Sequence, residues 1–187
     1  MNLHAFLREK NFFTEEECDT IEGAFTKATI PKGEVIVRFN QFSGRVLFIE
    51  KGLLRIFYLQ DGKDITHFFF NENNFIAPIN SILGRGAERY QWEALEACEV
   101  SIIPYDEFWK LEERFPRLSR LVMEFAFHML DLFSEKLNIL QFQSAAERYS
   151  YFLEMYPELT NRISLGSTAS FLGITQQTLS VIRGKKK

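Results

Sequence analysis

Hydrophobic and polar positions follow three successive patterns along the chain, and each predicts a different kind of element. Thr14 is followed three residues later by Glu17, a capping-box spacing, and Cys18, Ile21 and Phe25 follow at near-helical steps, so residues 14–29 are predicted as one short helix. From Ile30 the period shortens. The runs IPKGEVIVRFNQ, RVLFIEKGLLRIFYL, KDITHFFF and QWEALEACEVSIIP are rich in β-branched and aromatic residues, and Lys32-Gly33, Ser43-Gly44, Lys51-Gly52 and Asp61-Gly62 punctuate them. Short strands cut by glycine turns predict an antiparallel roll or barrel, not a parallel sheet.

A helical pattern returns at Tyr105, and after Pro116 a long helix is predicted to run to about Gln141. Its apolar positions include Leu118, Leu121, Val122, Phe125, Met129, Leu132, Phe133, Leu137 and Leu140. Such a stripe either covers the chain's own roll or pairs with the same helix of a second subunit, and periodicity does not choose between them. The remaining segment gives a helix over AAERYSYFLEMYPEL ending at Pro157, a connection TNRISLGS, and two short helical runs divided by Gly173.

Composition narrows the class. With 187 residues, 46% hydrophobic and 25% charged, the chain suits one or two soluble globular domains. Cys18 and Cys98 are far apart, which excludes a disulfide framework and a CxxC metal or redox motif, and fits a reducing cytoplasm. No window approaches the roughly 18 apolar residues of a membrane span, and the N-terminal stretch lacks the apolar core of a signal sequence. A cytoplasmic location without membrane contact is therefore expected. Net charge is −3, yet residues 141–187 hold six Lys/Arg against three Asp/Glu, so the C-terminal segment is positive while the rest is negative.

That positive segment contains TASFLGITQQTLSVIR, Thr168 to Arg183. A helix-turn-helix needs a small residue at the helix crossing, a residue free to take positive φ in the turn, and apolar inner faces; Ala169, Gly173, Ile174, Leu179 and Ile182 supply these in order. Thr175 is placed to cap the second helix, and Ser167, Gln176, Gln177, Ser180 and Arg183 stand as candidate DNA contacts. Glutamine can pair with an adenine edge, arginine with guanine and serine with either, while Lys185, Lys186 and Lys187 would attract phosphates. The plainer alternative is an αα-hairpin with a solvated polar face and a basic tail.

The order of glycine-cut roll, long helix and terminal helix pair resembles the Crp/Fnr family of bacterial transcription regulators over nearly the whole chain. It is most similar to the form common in Bacteroidetes, through the roll sequence from Ile30 to Phe70, AAERYSYFLEMYPEL and TASFLGITQQTLSVIR. The resemblance implies an α+β fold: an antiparallel β-roll of the double-stranded β-helix, cyclic-nucleotide-binding-like type over residues 1–115, a central dimerisation helix over 116–141, and a winged-helix or helix-turn-helix domain over 142–187. It implies a homodimer joined through Leu121, Phe125, Met129 and Leu132, double-stranded DNA as partner, and contact with RNA polymerase at promoters.

The chain departs from the family pattern in two places. Members that bind cyclic AMP use Gly-Glu for the ribose and Arg-Ser for the cyclic phosphate. Here Ile76-Ala77 follows Phe75 in the first place, and Glu88-Arg89 stands in the second, or Arg89-Tyr90 with a one-residue shift. A carboxylate beside the phosphate position repels the anion, so tight cyclic AMP or cyclic GMP binding is not expected. The effector is left open. Phe75, Ile76, Ala77, Arg85, Glu88, Arg89, Tyr90 and Trp92 are the candidate pocket residues for an unidentified small molecule, against the alternative of a filled roll carrying those residues at its surface. In the second helix, Gln176, Gln177 and Val181 stand where the family carries Arg or Pro, Glu and Arg, which predicts an operator of more A·T character.

No metal and no cofactor are expected. Two distant cysteines do not hold an iron–sulfur cluster, and the scattered His4, His67 and His128 do not mark a haem. An enzyme of the related cupin type needs clustered histidines, and the roll has one, so the chain is expected not to be an enzyme. The remaining alternative is an interaction module with a degenerate helix-turn-helix that does not bind DNA.

Overall fold

The computed structural model describes residues 1–185, with the side chain of Lys185 outside the described set. Two short helices, α1 (Leu3–Glu9) and α2 (Glu15–Gly23), precede eight strands: β1 (Thr26–Ile30), β2 (Val35–Val37), β3 (Arg45–Lys51), β4 (Leu54–Gln60), β5 (Lys63–Phe70), β6 (Phe75–Ile76), β7 (Gln91–Ala94) and β8 (Cys98–Pro104). A one-turn helix α3 (Ile79–Ile82) lies between β6 and β7. Helices α4 (Tyr105–Arg114), α5 (Leu118–Phe142), α6 (Ala145–Met155), α7 (Leu165–Leu172) and α8 (Gln176–Lys185) follow.

The strands form two four-stranded sheets in the orders β1-β8-β3-β6 and β2-β7-β4-β5. Thr26 to Ile30 pairs antiparallel with Ile102 to Cys98, and Val46 to Ile49 pairs with Ile103 to Val100. This is the expected antiparallel roll. The chain divides into two compact units, one of residues 1–56 and 69–125, the other of residues 57–68 and 126–187. That division differs from the expected boundaries at 115 and 141: it falls within α5 and gives the tip of the β4–β5 hairpin to the C-terminal unit.

In the first unit, β3 is buried on both faces, which explains its unbroken apolar run. Val46 and Phe48 pack with Leu3, Leu7, Cys18, Ile21, Phe108, Leu111, Leu118 and Leu121 from the surrounding helices, while the alternate residues Leu47 and Ile49 are buried on the other face. Complete burial of a side chain such as Phe48 stabilises by about 2–3 kcal/mol. Two glycine turns have steric causes. At Asp61-Gly62 both residues have positive φ (53° and 74°), the two-residue hairpin geometry whose twist matches the strands it joins. At Gly52, with φ 111°, an added Cβ would stand 2.8 Å from the Cys98 Cα, so only glycine fits.

Several expectations need correction. The helix predicted over 14–29 stops at Gly23, because Thr26–Ile30 is taken up as β1 against β8. The run QWEALEACEVSIIP is two strands separated by a turn at residues 95–97. Helix α1 was not expected; Asn2 caps it by accepting from the Ala5 N–H, and Leu3 and Leu7, four apart, are both fully buried. The described residues after α5 hold helices only, so the strand pair of the expected wing is not among them. Among the described residues no helix is long and apolar enough to cross a membrane, and no group of three His, Cys, Asp or Glu side chains is gathered as a metal site.

Candidate functional site

The C-terminal unit is assembled from the end of α5 outward. Ser144 and Glu147 form a reciprocal capping box that starts α6. Arg148, one residue on, is committed to three carbonyls: Leu140 and Gln143 at the end of α5 and Leu172 at the end of α7. Helix ends leave carbonyls without partners, and a guanidinium with several donors satisfies both ends at once. Phe152, Leu159, Ala169, Phe171, Leu172 and Leu179 are buried, with the rings of Phe152, Tyr156 and Phe171 in mutual contact at 5.5–5.9 Å.

Ser164 caps α7 through the Ser167 N–H, and Gly173 ends it in the left-handed conformation at φ 66°, ψ 34°. Thr175 then caps α8, its hydroxyl accepting from the Thr178 N–H at 3.1 Å. Leu179 is fully buried on the inner side of α8 and Ala169 is buried on α7. Gln176, Gln177, Ser180 and Arg183 are exposed, as is Val181. The Gln176 amide lies over Gly166, where an added Cβ would be 3.0 Å away. Ser167 is half-buried and held to Ser164 at the cap, so it belongs to the start of α7 rather than to the outer side of α8. Lys186, Lys187 and the side chain of Lys185 lie outside the described residues.

In the roll, the eight candidate pocket residues differ in burial. Phe75 contacts the rings of Phe6 and Phe48 at 5.8 and 4.9 Å, and together with Ala77 it packs against the helical core. Ile76 and Trp92 are each 2% exposed, whereas Arg85 and Arg89 are exposed and Tyr90 is half-buried. Glu88 is buried, and one of its carboxyl oxygens accepts from both the N–H and the hydroxyl of Ser81, each at 2.8 Å. Its backbone also pairs with Asn40 and Gln41. The segment aligned with the phosphate cassette is thus closed around a carboxyl group. Phe39, Phe42, Ile79 and Leu83 are exposed.

The long helix also redistributes the residues expected at a subunit contact. Leu121 belongs to the intrachain core, and Phe125, Met129 and Leu132 are half-buried, so they are not the outward row. Met123, Phe127, Leu130 and Leu137, at steps of four, three and seven, form an exposed apolar row, with Phe127 67% and Leu130 64% exposed; Val122, Phe133, Leu140 and Phe142 are exposed as well. A helix of period 3.6 turns that row away from the buried Leu118, Leu121 and Ile139.

A second site was not anticipated. Between the β4–β5 hairpin tip, the C-terminal half of α5 and α7 lies a cleft of about 290 Å³. Ser170 anchors the hairpin to α7: its hydroxyl accepts from the Thr66 N–H and donates to the Asp64 carbonyl, each at 2.8 Å. Lys136 donates to the His67 carbonyl and lies over the rings of Phe171 and Phe68 at 4.3 and 5.0 Å. Burial pushes its ammonium down to about 8. His67 is pushed down to about 4 by burial and by the nearby Lys136 charge, so it is neutral near pH 7. The sequence held one signal for this arrangement: Lys136 falls four residues after Leu132 and three before Ile139, a cation within an inward-facing row.

The fold is thus two antiparallel four-stranded sheets followed by a long helix and three shorter ones. Residues 27–115 match the family model of the cyclic nucleotide-binding domain. Solved structures that the chain resembles include a global regulator and a transcriptional regulator of the Crp/Fnr family. A mutant of CooA from Carboxydothermus hydrogenoformans superposes with a TM-score of 0.77 at 18% identity, over 99% of this chain and 84% of that one. CLP of Xanthomonas campestris, described as a c-di-GMP-responsive global regulator, gives 0.75 at 13% identity over 92% and 91%. A Crp/Fnr-family regulator from Eubacterium rectale gives 0.73 at 18% identity over 95% and 85%. At these identities the likeness is one of fold. No curated protein matches the chain in sequence.

Proposed function

We propose that this chain is a homodimeric, cytoplasmic DNA-binding transcription regulator of the Crp/Fnr type, without enzymatic activity, whose effector is not a cyclic mononucleotide. The observation that carries the reading is the pairing of α7 and α8 through left-handed Gly173, with Leu179 buried within and Gln176, Gln177, Ser180 and Arg183 exposed. These side chains offer amide and guanidinium donors to base edges, and the positive charge of residues 141–187 supports attraction to the backbone. In this reading α8 enters the major groove at an A·T-rich half-site, with RNA polymerase as the protein partner at the promoter. The outward row Met123, Phe127 and Leu130 on α5 supports pairing with a second copy, because exposed apolar side chains of that size are covered in a soluble assembly.

Electrophoretic mobility shift with a random duplex library tests the proposal. The wild type retards a selected A·T-rich duplex with two chains per complex, and Gln176→Ala, Gln177→Ala and Arg183→Ala together weaken it by about a hundredfold or more. Selection of a G·C-containing half-site would defeat the base-reading part. Absence of retardation at low salt would instead favour an interaction module, a reading that exposed Val181 on α8 also supports.

A further inference from the structure

The cleft beside Lys136 meets three requirements of a ligand site without serving the proposed DNA contact. It has volume, about 290 Å³, near the lower end of small-molecule pockets. Its walls are apolar and aromatic, with Phe133, Leu137, Leu140 and Phe171 among them. Its polar lining residues are Lys136, Tyr58, Thr66, His67 and Ser170.

The charge pattern selects the ligand class. An ammonium has three donors, and Lys136 commits one to the His67 carbonyl. The aromatic faces of Phe68 and Phe171 attract the cation but accept no proton from it as a carboxylate would. Arg148, which lines the adjoining void, is occupied by three helix-end carbonyls. His67 adds no positive charge near neutral pH. Among the described residues the cleft therefore presents one cation, which matches a monoanion better than a phosphate dianion. A flat apolar body suits the aromatic walls.

We propose that this cleft binds a small aromatic carboxylate, its carboxylate paired with Lys136 and its ring held between Phe133 and Phe171. The site lies within the C-terminal unit and lines the α7–α8 turn through Gly173, so its occupancy is read where that turn is built. It does not depend on the chain binding DNA, and its test leaves DNA out.

Phenylacetate, titrated into the full isotope-labelled chain near neutral pH, shifts the amide resonances of Thr66, Ser170 and Gly173 saturably. Phenylacetamide has the same shape without the charge and binds about tenfold or more weakly. Lys136→Met weakens phenylacetate by a similar factor while melting no lower than the wild type, which separates a lost ligand contact from a lost fold. Equal binding of the acid and the amide, unchanged binding by the Lys136→Met variant, or no saturable shift at those amides up to the solubility limit would each overturn the proposal.

Discussion

Glu88 in the roll and Lys136 in the C-terminal unit are both ionisable groups withdrawn from solvent, and they are treated in opposite ways. The Glu88 carboxyl is answered within three ångströms by the N–H and hydroxyl of Ser81, and its own backbone is bonded to the neighbouring loop. Lys136 is answered by one carbonyl and two aromatic faces. An enclosed polar group with its partners in place is structure; one whose donors are incompletely matched retains the capacity to bind. The comparison places the closed group where the family resemblance leads one to expect a ligand, and the open group elsewhere.

The largest expected effect tests the closed side. Titration calorimetry of the wild type with cyclic AMP or cyclic GMP gives no saturable heat up to millimolar nucleotide, a shortfall of at least about 4 kcal/mol relative to a micromolar complex. The physical cause is the acceptor oxygen of Glu88 standing in the segment that would have to cradle a phosphate. Micromolar binding of either nucleotide would show that the segment around Ser81 and Glu88 opens, and would remove one half of the comparison.

The next effect is on stability. Glu88→Ala leaves the Ser81 N–H and hydroxyl without their acceptor and costs about 2 kcal/mol in chemical denaturation. Glu88→Gln keeps an acceptor oxygen and costs about 1 kcal/mol. If the two variants were equally stable, Glu88 would not be fixing α3, and the closure of the cassette would need another cause.

Much of this architecture was legible in the sequence because its causes are local. The runs around Asp61-Gly62 and KDITHFFF encode a hairpin through turn chemistry and β-branching, and β5 occupies Lys63–Phe70 as that run suggests. Capping residues located α2, and Gly173 located the end of α7. What was not legible depends on which side of an element meets another. Apolar residues occur nearly all round α5, so the pattern alone could not assign Leu121 to the intrachain core and Phe127 to the outside. Phe75 and Trp92 looked available for a pocket because aromatic residues near a loop serve packing and recognition equally well; their burial is decided by partners distant in sequence, such as Phe6. The cleft at Lys136 needs the hairpin tip, α5 and α7 together, and no sequence window contains all three.

The smallest effect is the most diagnostic of the open side, because its sign changes with pH. The Lys136 ammonium has its pKa lowered from 10.5 to about 8 by burial. A lysine with a depressed folded pKa is penalised wherever both states are charged, below about 8, and the penalty disappears as pH rises through 8 to 10.5, where both states become neutral. The shift corresponds to about 3 kcal/mol, reduced to about 2 by partial exposure. Lys136→Met removes that penalty but also loses the hydrogen bond to the His67 carbonyl, about 1 kcal/mol. The variant is therefore more stable than the wild type by about 1 kcal/mol near pH 7, and less stable above about pH 10.5, where a neutral lysine keeps its hydrogen bond without the cost of charge. Denaturant midpoints of the two proteins, measured from pH 7 to 11, cross if Lys136 is an inadequately matched cation. Parallel curves would mean that Lys136 is as fully answered as Glu88, and the two regions would then be alike.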